Sequence, residues 1–393
     1  MIAPTSFFSD YGGHIRILEE TRALQARGVE VAIVTYYKGN DVPGIDIRRT
    51  APLPWHTDYE VGSSRHKLAF DAYLAVKAAS EARRFRPDII HGHMHEGALI
   101  GGALARLLGV PLVFDFQGSL TGEMVDHGFL NPHGALYPWV YRLESAITRR
   151  LPDAILTSSG RAAELLRDEF GVPPERIHAL PDCADADQFD PARFPFSPAD
   201  HPLRTQYGIP REAVVVGYLG LLTDYQGVPH LIEAAARLKA AGEPIHFLVM
   251  GYPNVESYHM SAHAWGVEDR ITFTGRVPFT DAAYYLAAAD IAVTAKMSTT
   301  EGSGKLLNYM AMAQPIVAYD TPVNREYLDE LGVYAPAGDV AAFTEAIRAL
   351  ANDPSRQRAL GRELRRRAQE QFSWATATAH ILELYHLLTK EGV

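Results

Sequence analysis

One cysteine, Cys183, is the only thiol in 393 residues. An intramolecular disulfide and any zinc site of several thiolates are thereby excluded, and the composition suits a reducing, cytoplasmic compartment. No run approaches the roughly 18 apolar residues of a transmembrane helix, and the first residues lack the basic-then-apolar order of a signal peptide. Basic charge is in deficit: 37 Lys and Arg face 47 Asp and Glu, a formal charge of −10, which disfavours nucleic acid as a partner. The local exception is Arg365, Arg366 and Arg367, which read either as a site of peripheral contact with anionic lipid headgroups or as an ordinary solvated helix face. What is plentiful is apolar residue, 47% against 21% charged. The chain is expected to be a compact globule, too long for one core and about right for two α/β domains of roughly 200 residues each.

Short apolar runs rich in β-branched residues alternate with segments of helical apolar spacing, the pattern of parallel sheets wrapped by crossover helices. In the first half the runs are 29–36, 89–91, 111–114, 154–157 and 177–180, with helices expected over 15–27, 66–84 and 98–108. A first strand has only Met1, Ile2 and Ala3 ahead of the turn-forming 4–13 segment, where a buried strand usually needs about 5 residues. Either that strand is short or the start lies upstream. Composition shifts to Pro, Asp and Arg between Phe189 and Arg211, then alternation resumes with strands over 214–219, 246–250, 271–273, 291–294 and 315–318. The division is therefore 1–190 as an N-terminal Rossmann-like acceptor domain, 191–211 as linker, 212–371 as a C-terminal Rossmann-like donor domain, and 372–393 as a helix returning toward the first domain, with Ser373 as its N-cap.

The segment 298–320 carries the most chemistry. A strand leads into a loop bearing Glu301, Gly302, Ser303 and Gly304, and a helix opens near Lys305. Free backbone N–H groups at a helix start attract phosphate, and glycines let a ligand approach the backbone, although ordinary turn chemistry explains such a loop equally well. His91, His93 and His95 alternate at a strand end and share a face, but no acidic or thiol partner is evident and no metal is expected. Asp10, His14 and Arg16 flank the Gly12-Gly13 turn, placed to meet acceptor or donor, or to cap a helix.

This segment resembles the signature of the family 4 glycosyltransferases, in which an acidic residue, a Gly-rich loop and a helix reading roughly Leu-Glu-Ala-Met-Ala precede a Gly-x-Pro-Val-Val strand. The counterparts are Glu301, Gly302 to Gly304, Asn308-Tyr309-Met310-Ala311 and Ala313-Gln314-Pro315-Ile316-Val317. The resemblance spans nearly the whole chain: Gly12-Gly13 after the first strand, Pro87-Asp88-Ile89-Ile90-His91-Gly92-His93, Pro181-Asp182-Cys183-Ala184-Asp185, and Phe273-Thr274-Gly275-Arg276-Val277 each have a family equivalent. It implies an α/β, GT-B architecture, two Rossmann-like domains with parallel sheets facing across a cleft. It also implies sugar transfer from an activated donor, normally a nucleotide diphosphate sugar, to a hydroxyl of a glycan, lipid or small molecule, with retention of configuration. No cofactor beyond that donor substrate is implied. In the front-face mechanism usually proposed, the leaving phosphate takes the acceptor proton. The residues assigned to catalysis are then Glu301, Lys305 and Gln117. Those assigned to the donor are Gly12, Gly13, Gln226, Arg276, Gly302, Ser303, Gly304 and Asn308, and those assigned to the acceptor are Asp10, His14 and His93.

Three departures from the family pattern matter. Where it reads Gly-Arg-Leu and then Lys-Gly, the two cations holding the diphosphate, this chain has Gly220-Leu221-Leu222 and Gln226-Gly227. Two charge-assisted hydrogen bonds are worth about 3 to 6 kcal/mol, so replacement charge is needed, with Lys305 the first candidate and Lys296 and Arg276 behind it. Asn308 stands where a glutamate usually grips the ribose. Gln117 stands where a histidine often precedes the glycine of Gln117-Gly118. Two alternatives stay open at this point: a non-standard donor such as a polyprenyl phosphate sugar or a cyclitol nucleotide, and a non-catalytic GT-B partner module. Acceptor loops are expected within 51–64 and 118–138.

Overall fold

The computed structural model describes residues 1–9, 12–53, 67–126, 128–297 and 302–390. Two parallel sheets dominate it. The first has seven strands in the order β3-β2-β1-β4-β5-β6-β7, with β1 Ile2–Ala3, β2 Ala32–Thr35, β3 Asp46–Arg49, β4 Ile90–His93, β5 Leu112–Phe116, β6 Ala154–Thr157 and β7 Ile177–Ala179. The second has six in the order β10-β9-β8-β11-β12-β13, with β8 Val214–Leu219, β9 Ile245–Met250, β10 Ile271–Gly275, β11 Ile291–Thr294, β12 Ile316–Tyr319 and β13 Val333–Ala335. Every pairing is parallel, and β5, β6, β9, β11 and β12 are buried at each position, which is why they read as continuous apolar runs. The GT-B expectation of two Rossmann-like halves holds.

Crossover helices cover the first sheet: α1 Gly12–Gln25, α2 Lys67–Phe85, α3 Met94–Leu108, α4 Leu120–Asp126, α5 Tyr137–Arg150 and α6 Gly160–Glu164. Around the second lie α7 Pro202–Gln206, α8 Val228–Ala240, α9 Val255–Ala264, α10 Ala282–Leu286, α11 Gly304–Ala311, α12 Pro322–Leu328, α13 Val340–Ala351 and α14 Pro354–Gln371. The last helix, α15 Trp374–Lys390, starts where Ser373 Oγ accepts the Thr376 N–H at 3.3 Å. Its Trp374, Ala377, Ile381 and Leu384 share a core with Leu24 of α1 and Val113 and Leu156 of the first sheet.

The structure adds elements the pattern did not announce. Edge strands β3 and β13 are short and partly exposed, so they lack the apolar signature of a central strand. Residues 118–138, expected as loops, contain α4 and the start of α5, while 54–66 lie outside the described residues.

Candidate active site

Parallel strands deliver their C-terminal ends, and whatever follows them, to one edge of each sheet, and here the two edges meet. In the first half, β4 ends at His93 and β5 runs through Asp115 and ends just before Gln117, with α1 laid across them. Arg16 of α1 grips Asp115 through Nε, at 3.2 and 3.1 Å, and Nη2, at 2.9 Å. Its Nη1 reaches Asp182 at 2.9 Å, and Nη2 also donates to the Leu180 carbonyl at 3.2 Å. Arg16 and Asp115 are 4% and 0% exposed. Burial by itself pushes the Asp115 carboxyl up, but the Arg16 charge and the His93 hydrogen bond outweigh it and hold the group well below the usual carboxylate range. For Asp182 burial wins, and its carboxyl sits above the ordinary value despite Arg16.

Asp115 also orients two neighbours. It accepts from Gln117 Nε2 at 2.8 Å and from His93 Nδ1 at 3.0 Å. A carboxylate only accepts, so the Gln117 amide is fixed with its nitrogen inward and Oε1 toward Gly13, where a Cβ would stand 3.0 Å from that oxygen. Gln117 thus presents an acceptor to the glycine loop. Gly12 is exposed on the same turn, and Asp10 lies outside the described residues.

Two acceptor assignments need correction. His93 is wholly buried beneath Asp115, its ring stacked on His91 at 4.7 Å and 14°, so it supports the site from below and does not face a substrate. His14 is 1% exposed and has both ring nitrogens engaged, Nδ1 accepting the Ser9 N–H at 2.8 Å and Nε2 meeting Thr5 Oγ1, so it pins the loop that carries it. His95 leaves the shared face altogether, lying 3.3 Å from Glu144 and edge-on to Phe114 and Phe116.

The sequence showed no acid near these histidines, but Glu20 of α1 is one, and its ligand atom lies within 4.8 Å of those of His91 and His93. A metal does not fit between the rings. An imidazole lone pair lies in its ring plane, and two nearly parallel stacked planes share no point where an ion could sit. His91 Nδ1 is already 2.7 Å from Tyr385 Oη, and Glu20, with Oε1 3.2 Å from the same nitrogen, has no hydrogen-bond partner for either oxygen among the described residues. Burial pushes the Glu20 carboxyl up from 4.5 to about 8. A folded-state value above the unfolded one stabilises fully below about 4.5, and that stability is lost as pH rises toward about 8. Glu20→Gln should therefore melt several degrees above the parent at pH above 8 and close to it near pH 5, in a thermal-unfolding series. A constant difference across pH would contradict this.

In the second half, Gly220 follows β8 and α11 begins after the loop that leaves β11. Lys305, in the first turn of α11, extends its ammonium to Gln226 Oε1 at 2.8 Å and to Tyr218 Oη at 3.2 Å, over the Tyr218 ring at 4.4 Å from its centroid. A Cβ at Gly220 would stand 2.7 Å from this Nζ. The ammonium therefore occupies the ground between Gly220 and Gln226, where the family pattern places its two cations. Tyr218 donates onward to the Leu221 carbonyl at 2.8 Å, which fixes the phenol and leaves its oxygen to accept from the lysine.

Ser303 precedes α11 with its Oγ buried and without a partner among the described residues, and it makes no side-chain cap, so the hydroxyl sits beside the first N–H groups of the helix. Asn308 is half-buried one turn further on. Lys296, 6% exposed after β11, donates to the Gly302 carbonyl at 3.1 Å and braces the loop. Glu301 lies outside the described residues. Arg276 follows β10, two strands from β8 and so about 10 Å away in the sheet, and its exposed guanidinium lies over Tyr252 at 5.2 Å.

The halves close on each other beside this loop. A Cβ at Gly302 would stand 2.7 Å from Asp182 Oδ2 of the first half and 3.1 Å from Tyr327 Oη, so only glycine lets the loop reach the Arg16 network. Glu326 of α12 accepts the Gly160 N–H at 2.8 Å, at the start of α6, and Tyr327 Oη donates to the Ser158 carbonyl at 2.9 Å. Asp115, Tyr218, Glu326 and Tyr327 were given no role by the sequence reading, and Asp182 was read only as part of a motif. The one available signal was a charge between two phenylalanines in a buried strand at Asp115.

Arg365 to Arg367 do not form a lipid-facing patch. Arg365 donates to the Phe189 carbonyl at 2.9 Å and pairs with Asp190, Arg367 donates to the Tyr327 and Glu326 carbonyls, and Arg366 pairs with Glu363 and Glu370.

Two family models match the chain, a glycosyl transferase 4-like domain over residues 12–183 and a glycosyl transferases group 1 domain over residues 213–353, one on each half of the fold. The chain belongs to the family 4 glycosyltransferases. Among curated proteins this glycosyltransferase is 26% identical to a 2-deoxystreptamine glucosyltransferase of Streptomyces kanamyceticus, over 87% of its own length and 90% of that protein's. It is 28% identical to a D-inositol 3-phosphate glycosyltransferase of Xylanimonas cellulosilytica, over 97% and 93%. Among solved structures it superposes on sucrose-phosphate synthase from Thermosynechococcus elongatus with a TM-score of 0.82 and 19% identity, covering 99% and 98% of the two chains. It superposes on Anabaena HepE in complex with UDP and glucose with a TM-score of 0.78 and 17% identity, covering 98% and 97%. The enzyme is a hexosyltransferase-type glycosyltransferase of GT-B fold. None of its described helices is long and apolar enough to cross a membrane.

Proposed function

We propose that the glycosyltransferase takes its sugar from a nucleoside diphosphate donor and transfers it to a hydroxyl acceptor with retention of configuration. The observation that carries this is the Lys305 ammonium 2.8 Å from Gln226 and against Gly220. One lysine delivered from α11 serves where two cations from the β8–α8 segment serve elsewhere in the family. The diphosphate lies against the start of α11, meeting Lys305, the Gly304 and Lys305 N–H groups and Ser303 Oγ, and Asn308 one turn on takes the ribose. Gln226, which spends its oxygen on Lys305, keeps its amide hydrogens for the phosphate.

The acceptor binds on the first half, beside Gly13 and Gln117. No protein base is required in this reading. Gln117 does not titrate, and Asp115 is locked by Arg16, His93 and Gln117, so the leaving phosphate takes the acceptor proton. The protein's part is to hold the two substrates in register and to meet the charge that develops on the leaving group.

The test is incubation with a panel of nucleotide sugars. Nucleotide release from at least one is expected, and in the acceptor product, once an acceptor is found, proton NMR should show the donor's anomeric configuration. An inverted product would refute retention. Turnover of a polyprenyl phosphate sugar with no response to any nucleotide sugar would refute the donor class.

A further inference from the structure

Helix α5 exposes what a helix on a closed α/β domain normally hides. Trp139 and Leu143 are 68% and 54% exposed, Leu136 at its N-cap is 59% exposed, and Phe129 on the preceding turn is 59% exposed. The 136, 139 and 143 positions follow the 3- and 4-residue spacing of one helical stripe, which runs alongside the buried face of Glu144, Ile147 and Thr148. Arg142, Arg149 and Arg150 border that stripe, all exposed, with Arg142 over the Trp139 ring at 5.7 Å. None of the three is ion-paired among the described residues. From Gly128 to Pro152 the only acid is Glu144, and it is buried. In a chain of net charge −10 the exposed charges of this segment are all basic, and the exposed Glu169 meets α5 on another side, through Tyr141 Oη at 3.3 Å.

We propose that α5 is a membrane-docking helix that lies on anionic lipid, with Trp139, Leu143, Leu136 and Phe129 entering the headgroup boundary and the arginines meeting lipid phosphates. Apolar residues with an indole at their centre and arginines at the border match the interfacial amphipathic helix, in which arginine stems lie on the apolar surface and their heads reach phosphate. A second copy of the chain fits poorly, because a twofold contact through this face would set the arginines against their own equivalents.

The helix is also coupled to the site. Glu144, on its buried face, accepts the Leu120 and Thr121 N–H groups at 2.9 Å each and the Ser119 hydroxyl at 3.2 Å, capping α4 directly after Gln117-Gly118. The helix therefore packs directly on the segment that follows Gln117. The docking surface is independent of the donor reading, because vesicle binding needs no nucleotide.

The experiment is co-sedimentation of the full chain with phosphatidylcholine vesicles and with vesicles containing phosphatidylglycerol. Binding is expected only to the anionic vesicles and should weaken with salt. Trp139→Ala with Leu143→Ala should reduce it about tenfold or more. Each of Arg142→Gln, Arg149→Gln and Arg150→Gln should reduce it about fivefold, with melting temperatures near the parent's because all five side chains are exposed. Should the apolar double variant fail to fold, the arginine series carries the same test. No sedimentation with anionic vesicles, sedimentation unchanged in every variant, or a concentration-dependent dimer that the Trp139 and Leu143 changes dissolve would overturn the proposal.

Discussion

Lys305→Met should lower donor turnover, read as nucleotide release, by about a hundredfold or more, with the melting temperature close to the parent's. The magnitude is what removal of one preorganised donor to a developing anion typically costs. Methionine fills the same channel beside Tyr218 but carries no charge. Because the ammonium touches Gln226 at 2.8 Å, the cation can be supplied from the other side of the same spot. Gln226→Lys placed on the Lys305→Met background should recover a substantial part of the lost rate, since it restores one of the two cations of the family pattern. A rescue would separate a missing charge from a damaged fold. Turnover unaffected by Lys305→Met, or lost through unfolding alone, would contradict the role.

Arg16→Leu should lower the melting temperature of the first half by about 10 °C. Breaking a buried pair from one side costs about 3 to 5 kcal/mol, and for a unit of this size each kcal/mol shifts the transition by about 2 to 4 °C. The reason is that Asp115, 0% exposed, and Asp182 lose the guanidinium that holds them charged. Replacing Asp115 by Leu as well should recover most of the stability, because a buried ion pair and a well-packed apolar pair of similar volume are nearly equivalent. Activity should not recover, since Gln117 loses the carboxylate that aims its amide. Scanning calorimetry and turnover on the same three proteins separate the two effects. Equal recovery of both, or a single variant as stable as the parent, would refute the assignment. The acid side follows from the same group. A depressed carboxyl contributes stability above its unfolded value, and that contribution disappears only as the pH falls through the folded value, in strong acid.

The architecture was legible because parallel strands buried on both faces must be apolar throughout, and β5, β9 and β12 are. Strands β3 and β13 were not, since Asp46–Arg49 is charged at three of its four positions and Val333–Ala335 is only three residues long. In the site, the Gly302 to Gly304 loop and Lys305 could be read locally, as glycines and a cation at a helix start. Arg16 with Asp115 could not: the partners are 99 positions apart, and nothing in either segment names the other. The same limit explains the misplacements. His93 and Arg276 lie in the right motifs, but one is buried against Asp115 and His91 and the other follows a strand two places from β8, and a motif fixes a backbone position without fixing the side chain's neighbours. Arg365 to Arg367 looked like a surface patch because three consecutive arginines show no partner in sequence, while in space two of them hold carbonyls of other elements.

The central claim is that Lys305 and the start of α11 receive a diphosphate. Calorimetric titration of the parent and of Lys305→Met with UDP, GDP and ADP tests it most directly. At least one nucleotide should bind the parent, with Kd raised about tenfold or more in the variant, in line with the loss of one charge-assisted hydrogen bond. No binding by any of the three, or equal affinity for parent and variant, would contradict it.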